Sequence, residues 1–247
     1  MKNKNRYGWK PDTPDQRDFK FIARKIKIPK SVDWRDGMPS VYNQGDLGSC
    51  TANAIAAAVD YERKKQGERF ISPSRLFIYY NERAMENTVQ SDAGASIRDG
   101  IKSVKNQGDC PEKEWLYVIS KFKIKPAAKC YADALKYEVV KYVRVNTQIA
   151  ALKKALAGRP VVFGFSVYES FESDAVAKTG IVPLPESSER VLGGHAVVAV
   201  GYDDSRQLVI CRNSWGARWG DQGYFYLPYK YFTSKLSGDY WEIQLVL

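Results

Sequence analysis

The sequence predicts an α+β fold, a helical first half followed by a strand-rich second half. Three observations carry this reading. Between residues 49 and 108, alanine-rich and amphipathic runs lie between helix start and stop signals. From about residue 141, short runs rich in Val, Ile and aromatic residues alternate with Gly, Pro and Asp turns. The two halves are not copies: Asn43-Gln44-Gly45-Asp46 is echoed in Asn106-Gln107-Gly108-Asp109, but the surroundings do not repeat. With 247 residues, 44% of them hydrophobic, the chain can build one large domain or two halves sharing a cleft.

Three segments follow in order. Residues 1–30 carry Pro11, Pro14 and Pro29 and little periodicity, so they read as an extended arm. Residues 31–140 are helical. Ser49 can cap a helix that runs to Gln66 and stops at Gly67, with Ile55, Val59 and the alanines forming a small apolar face suited to a buried central helix. Ser72-Pro73 opens a second helix through Met85, since proline is tolerated at the first helical position. Ser96 caps a third that ends near Gly108. Residues 141–247 are β-rich. Asn146 caps a helix over Thr147–Ala157, and strands are expected at Pro160–Tyr168, His195–Tyr202, Gln207–Arg212, Gly223–Leu227 and Tyr240–Leu247.

Composition excludes several classes. No apolar run is long enough to span a membrane. No apolar stretch follows the basic start Met1–Tyr7, so no secretory signal is read, and the cytoplasm is favoured. Net charge is +10, of which the arm holds +7 from ten Lys or Arg and three Asp. Such an arm can meet nucleic acid or an acidic surface, but Asp12, Asp15 and Asp18 interrupt it, and a solvated arm is the plainer reading. A single histidine and no Cys-x-x-Cys pair leave metal-site spacing unmet, so no metal and no cofactor are expected. Cys110 and Cys130 could form one bridge, and free thiols fit a reducing compartment equally well. Cys211 reads as a buried strand residue.

Chemistry is concentrated in three places. Cys50 follows a glycine-containing turn and opens a helix, where peptide dipoles favour a thiolate. Alone it reads as a buried structural thiol. His195, the only histidine, follows Gly193-Gly194 at the start of an apolar strand. The glycines leave room for a substrate beside the ring, and the ring could take the proton of Cys50. Asn213, 18 residues on, could accept from the imidazole and fix its tautomer, with Trp215 covering that contact. Gln44, six residues before Cys50, could donate to an oxyanion together with the Cys50 N–H.

Taken together, Gln44…Gly48-Ser49-Cys50, Gly194-His195-Ala196-Val197 and Asn213-Ser214-Trp215-Gly216 resemble the papain family of cysteine peptidases. Val32-Asp33-Trp34-Arg35 is similar to the start of that family's mature domain, so the likeness covers about residues 31–247. It implies a helical left lobe with the nucleophile, a β-barrel-like right lobe with His and Asn, and an extended peptide in the cleft between them. It further implies Cys50 as nucleophile, His195 as base then acid, Asn213 as orienter and Gln44 as oxyanion donor. Gly94-Ala95-Ser96, Gly194 and Trp215 are the implied substrate-binding positions. Two departures stand out: Leu47 and Thr51 occupy the places of the family's Cys before Gly-Ser-Cys and aromatic after it.

Residues 1–30 are too short for the family's usual helical propeptide. They resemble the short extension of compact bacterial members, which lies over the cleft. Tyr7, Trp9, Phe19 and Phe21 are its candidate anchors. The expectation is therefore a monomeric thiol peptidase acting on proteins or peptides through a thioester and restrained by its arm. Acyl transfer by the same triad and a non-catalytic binding module are the rival readings.

Overall fold

The computed structural model describes residues 7–22 and 27–246. The basic stretch 1–6 thus lies outside the described residues. A short strand β1 (Ser31–Asp33) precedes helices α1 (Cys50–Lys65), α2 (Arg75–Met85), α3 (Ile97–Gln107) and α4 (Ala128–Ala134). The rest of the chain alternates: β2 (Val139–Val145), α5 (Ile149–Leu156), β3 (Val161–Tyr168), α6 (Asp174–Thr179), β4 (Val191–Asp203), β5 (Leu208–Arg212), β6 (Tyr224–Pro228), α7 (Tyr229–Thr233) and β7 (Ser237–Val246). Among the described residues no helix is long and apolar enough to cross a membrane.

β4 shows how the sheet sits. Its run Ala196–Val200 is apolar at every position because both faces are covered. Ala196, Val198 and Val200 face a core shared with α1, α2 and α3. Val197 and Ala199 face a second core with Leu152, Phe163, Phe165 and Tyr231. Helix α1 lies against the first face and is buried from Cys50 to Arg63, which is why its sequence is so rich in alanine. Arg63 enters that interior with a partner, Asp109, at 2.9 Å.

The strands run in the order β2-β7-β3-β4-β5-β6, with β1 on β4, and every strand pair is antiparallel. The expected barrel-like closure is corrected to an open sheet, because each end finds another partner. On β2, Arg144 exchanges backbone hydrogen bonds with Phe19 and Phe21 of the arm. On β6, Tyr226 does so with Gly180 and Val182.

Other boundaries also moved. α2 begins at Arg75, not Pro73, because the Ser74 hydroxyl caps it by accepting from the Phe77 N–H at 3.2 Å. Asn146 turns the chain by accepting from the Gln148 N–H and does not cap α5 directly. β4 starts four residues earlier than expected, so His195 lies inside it. β1 and β2 were not anticipated. Cys110 and Cys130 are free thiols in a small buried cluster with Phe77 and Ala134, and Cys130 Sγ donates to Glu114 O at 3.8 Å. Cys211 is buried in β5 as expected.

Candidate active site

Cys50 is the first residue of α1, and its side chain is fully buried. The backbone N–H groups of Ala196, Gly8 and Thr51 lie close enough to its sulfur to favour the anion. Ala196 directly follows His195, so β4 brings the imidazole's neighbour onto the thiol. Gly8 belongs to the arm. Burial pushes the thiol up to about 11, against the pull of these three donors. The helix terminus therefore does not hold a thiolate in this arm-covered form, because desolvation outweighs it. Ser49 does not cap the helix with its hydroxyl, which instead meets Tyr117 Oη at 2.5 Å and accepts from Asn53 Nδ2 at 3.1 Å. Thr51, in the place of an aromatic, donates its hydroxyl to the buried Glu82 carboxyl at 2.6 Å.

On the facing side, His195 Nε2 lies 2.9 Å from Asn213 Oδ1. The pairing of β4 with β5 makes this contact, since Asn213 directly follows β5. Asn213 Oδ1 also accepts from the Ser214 N–H at 2.8 Å, which fixes the amide plane. The imidazole is enclosed by rings: Trp215 at 5.1 Å between centroids, Phe165 at 5.8 Å and Tyr7 of the arm at 6.0 Å. Gln44 is oriented from both ends. Its Oε1 accepts from the Ser214 hydroxyl at 2.5 Å and its Nε2 donates to Leu47 O at 2.9 Å. Ser214 thus links the amide before the thiol to the amide behind the imidazole, a role the sequence reading missed although it lies inside the Asn213-Ser214-Trp215 motif.

The positions expected to hold substrate hold the arm. The Ala95 N–H donates to Gly8 O at 2.8 Å, and the Lys10 N–H donates to Ala95 O at 3.0 Å. The Trp9 N–H donates to Gly194 O at 2.9 Å. Any side chain at Gly94 would collide with Gly8 O, and one at Gly194 with Trp9 O. Ser96 is turned away, its hydroxyl capping α3 by accepting from the Asp99 N–H. Tyr7 packs on His195 and Trp215 and donates its hydroxyl to Glu172.

Past the cleft the arm is tied down by charge, which the sequence reading did not foresee. Asp18 pairs with Arg98 at 2.5 Å and Arg144 at 2.9 Å. Asp12 accepts from Trp241 Nε1 at 2.8 Å and from the Arg98 N–H at 3.1 Å. Asp239 accepts from Arg144, from the Asp12 N–H and from Trp9 Nε1. Burial, reinforced by Asp239, raises the Asp12 carboxyl to about 6. Of the four candidate anchors, Tyr7 and Trp9 enter the cleft and Phe21 packs on the second core. Phe19 is 65% exposed and contributes only its backbone.

Comparison with known proteins agrees with this architecture. A family model described as papain family cysteine protease matches residues 28–236. A peptidase C1-like protein of Acanthamoeba polyphaga mimivirus is 43% identical over 270 residues, spanning 97% of this chain and 87% of its own. Pro-cathepsin H of Mus musculus is 26% identical over 243 residues, 90% of this chain and 67% of that one. The crystal structure of xylellain, a cysteine protease from Xylella fastidiosa, shares 43% identity at a TM-score of 0.92, covering 100% of this chain and 98% of its own.

Proposed function

The chain belongs to the papain family of cysteine proteases, and from that premise we propose that Cys50, His195, Asn213 and Gln44 hydrolyse peptide bonds at the junction of a helical and a β-rich lobe. His195 Nε2 is committed to Asn213, so Nδ1 is the nitrogen that exchanges a proton with the thiol. The Cys50 sulfur adds to the peptide carbonyl. The oxyanion is met by the Gln44 amide and the Cys50 N–H, and each such donor is worth about a hundred- to thousandfold in rate. His195 then protonates the departing amine, leaving a thioester. Water, deprotonated by the same imidazole, releases the acid and restores the thiol. The single observation that carries this reading is the convergence on one sulfur of a helix start and the strand segment that bears an Asn-oriented imidazole.

The same reading makes the arm an occupant that the enzyme does not cut. The Gly8 N–H points at the sulfur. Its peptide with Tyr7 is trans, so the Tyr7 carbonyl oxygen points the other way, away from the sulfur. Docking also seals the thiol from water and keeps it protonated.

Point substitutions test this best, since deleting the arm would bare the β2 edge and the Arg98–Arg144 cluster. Hydrolysis of a fluorogenic peptide library is compared for the full chain, Trp9→Ala and Trp9→Ala with Cys50→Ala. The expected result is at least tenfold more activity in Trp9→Ala and none in the double variant. Equal turnover by the full chain and Trp9→Ala would remove the restraint. Activity surviving Cys50→Ala would remove the nucleophile.

A further inference from the structure

Residues 113–136 of the helical lobe form a ledge that the reaction chemistry does not use. The stretch holds six lysines and two acids, a net charge of +4, while the rest of residues 31–247 comes to −1. Its middle closes on itself in a 3-10 turn at Ile119–Lys121. There the Phe122 N–H donates to Ile119 O at 3.1 Å and the Ile124 N–H to Lys121 O at 2.9 Å. The body holds the ledge from below. Tyr117 Oη donates to Gln44 O at 2.9 Å, the Ser74 hydroxyl donates to Trp115 O at 2.6 Å, and Arg83 donates to Phe122 O. Trp115, Tyr117 and Phe122 pack down on the first core. Ile119 abuts Gly45, where an added Cβ would meet it at 2.8 Å. The ledge is therefore braced, and it adjoins the loop that carries Gln44.

Its outer side combines two kinds of group. Leu116 is 60% and Ile124 53% exposed, with Val118 and Ile119 also in water between them. Lys121, Lys123 and Lys125 rise among these tips, over the rings of Trp115, Phe122 and Tyr131 at 5.7, 5.4 and 5.8 Å. The ion pairs in this stretch join Lys129 and Lys136 to Asp133. They leave Lys121, Lys123 and Lys125 with no acidic partner among the described residues. Aliphatic tips interleaved with unpaired ammonium groups narrow the choice of partner. A soluble polyanion would meet the lysines and leave the tips in water. A folded acidic protein would need a socket for each projecting side chain. A bilayer interface takes tips of any outline, and its anionic headgroups meet the ammonium groups at the same depth.

We propose that this ledge docks the protein on a membrane surface rich in anionic phospholipid, with Leu116 and Ile124 entering the interface and Lys121, Lys123 and Lys125 meeting the headgroups. Because the ledge adjoins the Gln44 loop, docking holds the cleft close to the bilayer. The proposal goes beyond the peptidase reading and does not depend on it, since no step of docking uses the thiol.

The test is sedimentation of the full chain with vesicles at about 0.15 M salt. One set is phosphatidylcholine alone, and the other contains about one third phosphatidylserine. The expected result is binding at least tenfold tighter to the anionic set. The basic arm could also meet such vesicles, so substitutions on the ledge decide the matter. Lys121→Ala, Lys123→Ala and Lys125→Ala together should weaken binding about a hundredfold, at roughly fivefold for each lysine. Leu116→Ser with Ile124→Ser should weaken it at least fivefold with the charge unchanged. All five side chains are exposed, and an unchanged melting temperature controls for folding. Absence of binding to the anionic vesicles overturns the proposal. So does binding that survives the lysine substitutions, which assigns it to the arm. Binding that ignores the serine substitutions also overturns it, as does capture by immobilised heparin or an acidic protein but not by vesicles.

Discussion

Two stretches of the arm hold the molecule by different means. Residues 7–10 lie in the cleft and use backbone hydrogen bonds to Ala95 and Gly194, aromatic contacts and one indole. Residues 12–18 lie beyond it and use carboxylates that are buried against Arg98 and Arg144. The cleft is built to read a peptide backbone, which any sequence provides. The charged stretch reads this arm alone. The difference separates occupancy from tenacity: the first stretch fills the site as a peptide does, and the second keeps it there.

The comparison breaks most completely at Arg98. Arg98→Ala leaves Asp18 with Arg144 alone and removes the side-chain contact to Thr13 O. Losing one partner of a buried pair costs about 3–5 kcal/mol, which the arm escapes by undocking into water. The expected result is a peptidase activity raised about a hundredfold, with new protease sensitivity confined to residues 1–30. Steady-state hydrolysis and mass mapping of the nicked arm measure both.

Acidity sharpens the comparison, since over pH 4 to 7 its largest effect falls on the charged stretch, at Asp12. The docked Asp12 carboxyl is raised from 3.8 to about 6, first by burial and then by Asp239, while Trp241, the Arg98 N–H and Arg98 oppose the shift. A released arm returns Asp12 to water and to its ordinary value. Docking therefore takes up a proton as pH falls from 6 towards 3.8. The arm is held tightest at the acid end and loses up to about a hundredfold in grip as pH rises through 6. Asp239, also raised by burial, acts in the same direction. The ratio of Trp9→Ala to full-chain activity should be larger at pH 4 than at pH 7. Asp12→Asn should flatten that change.

The smallest effect is expected at Lys10, whose pair with Glu86 at 3.0 Å is partly exposed, 42% on the lysine side. Lys10→Ala should release the arm by about twofold at most, in keeping with roughly 0.5 kcal/mol for a solvated pair. The same hydrolysis assay reads it.

The central helix and most strands could be read from the sequence because burial writes itself there. α1 is apolar from Ala54 to Val59, the middle of its buried length, and β4 is apolar from Ala196 to Val200, where both faces are covered. β2, with Lys141 and Arg144 in its run, lacked that signal, because its edge is completed by the arm. The candidate site was legible for another reason. Cys50, His195, Asn213 and Gln44 sit in short local motifs whose chemistry is specific to residue type. Asp12, Asp18, Arg98, Arg144 and Asp239 sit in no motif. They meet only through the fold, across separations such as the 227 residues between Asp12 and Asp239. Gly164 was silent too: a glycine inside a strand reveals its use only when the Trp9 indole above it is seen.

The most direct measurement is site-mapped labelling by a thiol-directed epoxide of the full chain carrying Trp9→Ala, beside the same chain with His195→Ala. Our account predicts one adduct per molecule, on Cys50, formed at least a hundredfold more slowly without the imidazole. Label shared among Cys50, Cys110, Cys130 and Cys211, or added to Cys50 equally fast in both chains, would contradict it.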